Sequence, residues 1–170
     1  MRFATIFVMA LNLAGICHCS GESPDSATIE LAILWRSPID PLSWEPVELA
    51  KLLRDPAKFT PEGHHFYKPK TPISVFGYEA LYVGAVGMGD VAGPNVMLKA
   101  KPEEIANYIR EKYNVKFVQK GDAYQGDIRD GAIGEGDAYR VKIRDHVTLI
   151  IGPHPEKAGE SVVIGAYSGP

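Results

Sequence analysis

"AYRVKIRDHVTLIIGPHPEKAGESVVIGAY" (138–167) holds three apolar, β-branched runs, parted first by Arg144-Asp145 and then by Pro153–Glu160. Short runs of this kind bounded by turn-forming residues read as strands, and breaks this short join sheet neighbours antiparallel. The stretch therefore predicts a three-strand meander: 138–143, a turn at Arg144-Asp145, 146–151, then 161–167. Within the first run Arg140, Lys142 and Arg144 alternate with Val141 and Ile143, so the cations share one face of the strand.

Toward the N-terminus, "KPEEIANYIREKY" (101–113) predicts a helix. Pro102 suits a first turn, Glu103 and Glu104 complement the positive end of the helix dipole, and Arg110 and Lys112 complement the negative end. Ile105, Tyr108, Ile109 and Tyr113 form one face, so the helix covers a sheet. "NVKFVQ" follows as a strand entered through a turn at Asn114, and "ISVFG", "EALYVGAVG" and "PNVMLKA" precede as strand candidates.

"EPVELAKLLRDP" (45–56) predicts a second, shorter helix with Pro46 in its first turn and Pro56 at its stop. "ATIELAILW" (27–35) mixes β-branched and apolar residues and reads as a first buried strand, whereas 57–72 is expected to be irregular because of its prolines. Strands outnumber helices without regular alternation. The expected class is α+β: a mainly antiparallel sheet with two short-to-medium helices packed on one face, closing in the C-terminal meander.

Arg2 followed by the apolar stretch Phe3–Ile16 reads as a secretory signal, with cleavage after Cys19. A lipid anchor is the weaker alternative, since Ile16 and His18 stand where a small residue would precede the lipidated cysteine. The expected organisation is a signal peptide over 1–19, a flexible lead-in over 20–26 and a single domain over 27–170. Cys17 and Cys19 are the only cysteines, so the processed domain relies on its hydrophobic core instead of disulfides. The expected location is periplasmic or extracellular, soluble after cleavage, with no apolar run of membrane-spanning length beyond residue 22.

The formal charge of −3, from 18 basic and 21 acidic residues, gives no reason to expect a nucleic-acid partner. "VGAVGMGDVAGPNV" (83–96) looks like a phosphate loop, but Gly84, Gly87, Gly89 and Gly93 fit neither glycine fingerprint, and a strand candidate follows where a helix is required. Gly87, Gly89, Asp90 and Gly93 are expected to bend the chain, and small side chains there also let a ligand or partner approach the backbone.

The loop 120–137 offers Asp122, Asp127, Asp130, Glu135 and Asp137 among its glycines, a composition that suits calcium without matching its helix-loop-helix spacing. No cofactor is expected, with calcium as the alternative. His64 and His65 are adjacent and point apart in an extended segment, and His146 and His154 are distant, so no zinc pattern arises. No nucleophile elbow is present, and Glu79 and Asp90 stand as carboxylates without a catalytic frame.

These features lead to an exported, non-enzymatic binding or inhibitor-like protein acting through a surface, with Arg140, Lys142 and Arg144 and the glycine segment as contact candidates. Its expected partner is another protein or an anionic envelope polymer. One alternative is a secreted hydrolase combining His64 or His65 with Asp90, and another is a structural component of an envelope assembly.

Overall fold

The computed structural model describes residues 23–43, 45–63, 65–85, 93–120, 127–128, 131–132, 138–144 and 146–167. Its class is α+β, with a nine-stranded antiparallel sheet and three helices among those residues, one more helix than the sequence pattern suggested.

The additional helix is α1, Pro24–Ile33, where a strand over 27–35 was expected. Ser23 caps it by accepting the N–H of Ser26 at 3.1 Å, Pro24 brings a preset φ to the first turn, and Asp25 faces the positive dipole end. Pro24–Ser26, expected to close the lead-in, are therefore its first residues. Only Pro24 and Leu31 of α1 are exposed, so no apolar stripe marks it as helical.

After α2 (Val47–Leu53), the proline-rich segment forms a hairpin, β1 (Phe59–Glu62) with β2 (Phe66–Pro69), and so is not irregular. β1 is an edge strand, where Pro61 loses no essential ladder bond for want of an N–H. β3 (Ser74–Val75) turns into β4 (Tyr78–Gly84) through Phe76 and Gly77, at φ 51 and 82. β5 spans Asn95–Leu98, and α3 spans Pro102–Tyr113, where Glu104 accepts the Lys101 N–H at 2.8 Å.

β6 (Val118–Lys120) precedes the small pair β7 (Asp127–Ile128) and β8 (Gly131–Ala132). The predicted meander is present as β9 (Ala138–Arg144), β10 (Val147–Pro153) and β11 (Ser161–Tyr167). The sheet runs β1-β2-β4-β5-β11-β10-β9-β6, with β3 paired to β4.

Alternation divides the sheet between two apolar clusters. Val96, Leu98, Leu149, Ile151 and Val163 join the helices in the larger core, while Met97, Ile150, Val162 and Ile164 belong to the other face. On β9, Tyr139, Val141 and Ile143 pack toward the helix side. β5 and α3 carry the chain from the sheet's middle to its β6 edge, which brings the end of α3 beside β9. No helix among the described residues is long and apolar enough to cross a membrane.

Candidate functional site

Two helix C-termini meet at the outer part of the sheet. α1 stops in a Schellman turn: the Trp35 N–H reaches the Ala32 carbonyl at 2.9 Å and the Arg36 N–H reaches that of Leu31 at 2.8 Å. Such a turn needs a left-handed residue, and Trp35 supplies it at φ 53. Tertiary contacts hold it there. Its ring is 5% exposed and packs 5.8 Å from the Tyr167 ring, and its indole N–H donates to the Gly165 carbonyl at 2.7 Å.

Gly165 admits this contact because it has no side chain, since a Cβ there would lie 2.2 Å from the Ile33 carbonyl oxygen and 2.6 Å from Trp35 Nε1. Gly93, two residues before β5, approaches the same residue, and a Cβ there would fall 1.9 Å from the Gly165 oxygen. Of the glycines suggested as contacts, Gly93 thus closes the packing between β5 and β11.

α3 ends at Asn114, left-handed at φ 54, a conformation Asn tolerates. The two helices are tied by Glu30, which is 1% exposed. It accepts the Phe76 N–H, the Tyr113 hydroxyl and, at 2.9 Å, the Lys112 ammonium. A buried carboxylate is tolerable only when its oxygens are occupied in this way. Phe76, wholly buried at positive φ, is fixed by the same carboxylate. Burial, then the bond to Glu30, pushes the Tyr113 hydroxyl well above the ordinary tyrosine range.

Between these ends lies a cleft of about 410 Å³, lined by Leu34–Arg36, Tyr113–Lys116 and Val141–Ile143. Arg36 lies against the Tyr113 ring, 5.3 Å from its centroid. The lining carries the cations Arg36, Lys116 and Lys142 and, among the described residues, no carboxylate side chain. The two helix ends oppose these cations with about half a negative charge each. Among the described residues, the charged side chains of the cleft lining are thus cationic. Its floor is apolar, from Leu34, Val115, Val141 and Ile143.

Among the described residues, Lys142 is the one sequence-selected site residue that borders this cleft. Arg140 and Lys142 alternate with the core-facing side chains of β9 and so occupy the opposite face, as the pattern predicts. Arg140 is half-buried and Lys142 exposed, so the pair is not a uniformly solvated stripe; the Arg144 side chain lies outside the described residues. Gly87, Gly89, Asp90, His64, Asp122, Asp130, Glu135 and Asp137 also lie outside them, and Asp127 is described only through its β7 backbone. Arg36 and Lys116 were not selected from the sequence, because each is a lone cation after a helix, with no pattern until the fold joins them.

His65 is half-buried, and Glu79 is exposed with Lys99 3.8 Å away. His146 meets the Tyr167 ring edge-on at 6.4 Å, and His154 accepts the Glu156 N–H through Nδ1 at 3.1 Å. Among the described residues no group of three His, Cys, Asp or Glu side chains is placed to hold a metal ion. Comparison with protein-family models, with curated proteins and with solved structures gives no match.

Proposed function

We propose that the chain is an exported, non-enzymatic binding protein, inhibitor-like in acting through a surface, and that its working surface is the cleft between α1, α3 and β9. The observation that carries this reading is the sign of the lining: Arg36, Lys116 and Lys142 gather around an apolar floor in a chain whose net charge is −3. A local positive field on an acidic protein steers anions to one place and repels them elsewhere. The partner is accordingly anionic, either an acidic segment of another protein or an anionic envelope polymer. Export to the periplasm or medium rests on the signal pattern of residues 1–19.

Calorimetric titration of the full chain with polyglutamate and with polygalacturonate, at low and moderate salt, tests the cleft. At least one polyanion is expected to bind, with affinity falling as salt rises, and Lys116→Glu should weaken that binding about ten-fold. Binding that ignores Lys116→Glu would remove the cleft from the account.

A further inference from the structure

We infer that the floor of the cleft is a subsite for a small amphipathic carboxylate, an apolar body with one anionic head; this rests on the reading of the cleft as an anion site and adds to it a ligand of defined chemistry. The placement of charge supplies the first ground. Two cations lie against the Tyr113 ring, Arg36 at 5.3 Å and Lys112 at 5.1 Å from its centroid. Lys112 is paired with the Glu30 carboxylate at 2.9 Å. Among the described residues no carboxylate pairs with Arg36, so its guanidinium keeps a full charge and N–H donors for an incoming anion.

The two lysines of the lining stand differently. Lys116 alternates with Val115 and Phe117, and Lys142 with Val141 and Ile143, and all four of these apolar neighbours belong to the larger core or pack against it. Both lysines therefore turn away from the floor, and Lys142 is already engaged by another residue. They add to the field at the rim, while Arg36 is the cation placed to bond an anion over the floor.

The floor supplies the second ground. Leu34 and Val115 are 4% and 8% exposed, and Val141 and Ile143 are half-buried. With these side chains the cleft encloses about 410 Å³, a volume in the range of small-molecule sites. A bare inorganic anion would satisfy Arg36 and leave the floor wet, and a neutral hydrocarbon would do the reverse. A carboxylate meets a planar guanidinium through two parallel N–H bonds, and an apolar chain attached to it covers the floor.

The test is an NMR titration of the full chain with butyrate, hexanoate, octanoate and octanol, and with polyglutamate for comparison. Octanoate is expected to shift the methyl signals of Leu34, Val141 and Ile143, and to bind more tightly than the shorter acids by about four-fold per methylene, the equivalent of about 0.8 kcal/mol. Octanol should bind at least ten-fold more weakly than octanoate. Arg36→Gln, at an exposed position, should abolish that difference, and Arg36→Lys should restore part of it. Octanoate binding that ignores Arg36→Gln, that shifts methyl signals elsewhere, or that is no tighter than butyrate binding overturns the subsite. Polyglutamate binding without octanoate binding also overturns it while leaving the anion cleft standing. If neither binds, both readings fail.

Discussion

α1 and α3 end at the same cleft, each through a left-handed residue, yet the residues that take this conformation could hardly be less alike. Asn114 is exposed and suits it; Trp35 is buried and does not. For an ordinary side chain the conformation costs about 1–2 kcal/mol, because Cβ crowds the carbonyl that follows. At α3 the residue type meets that requirement locally. At α1 the cost is offset by remote contacts: the Gly165 carbonyl at 2.7 Å from the indole nitrogen and the Tyr167 ring at 5.8 Å. One helix stops by its own sequence, the other because a strand far along the chain holds its end in place.

The largest effect should come from crowding the held end. Gly165→Ala places a methyl 2.2 Å from the Ile33 oxygen, and neither that backbone nor the indole can yield without disturbing the turn. A loss of about 3 kcal/mol in urea unfolding is expected; an unchanged midpoint would show that the indole contact is dispensable. Next, the same residue can be placed at both ends. Trp35→Gly relieves the backbone but removes a buried ring, for a net loss of about 2–4 kcal/mol, whereas Asn114→Gly should stay within about 0.5 kcal/mol of the parent. Equal losses at the two positions would end the contrast.

The smallest effect concerns the carboxylate that joins the two ends, and it shows in alkali. The Tyr113 hydroxyl is held above the ordinary value of 10.0, by burial first and then by its bond to Glu30. A raised folded pKa contributes stability that is fully present below the unfolded value and is lost as pH climbs past it toward the folded value. Stability should therefore decline above about pH 10, and Tyr113→Phe should make that decline shallower. Tyr78, raised by burial and then by Glu104, and Lys58, raised by its bond to Asp25, contribute to the same decline. Identical alkaline slopes for the two proteins would separate Tyr113 from the linkage.

The same contrast explains what the sequence reveals. The meander and α3 are legible because each buries one side: Val147, Leu149 and Ile151 alternate, and Ile105 and Ile109 recur at helical spacing. α1 is hidden because it is buried almost all round, so "ATIELAILW" carries no period to distinguish helix from strand. The β1–β2 hairpin is hidden because proline signals irregularity, and only the edge position of Pro61 makes it harmless. In the cleft, Lys142 is legible within its alternating run. Arg36 and Lys116 are not, since each gains significance only where the ends of α1 and α3 come together beside β9.

The place of β11 in the sheet fixes the order in which the molecule can be completed. β11 lies between β5 and β10, bonded to both, so it joins the strands of the N-terminal half to those of the C-terminal half. Its carbonyl at Gly165 also receives the indole that ends α1. A chain emerging from the ribosome therefore has neither a continuous sheet nor a fixed first helix until its last described strand is free. Until then the β1-β2-β4-β5 and β10-β9-β6 parts of the sheet stay unjoined.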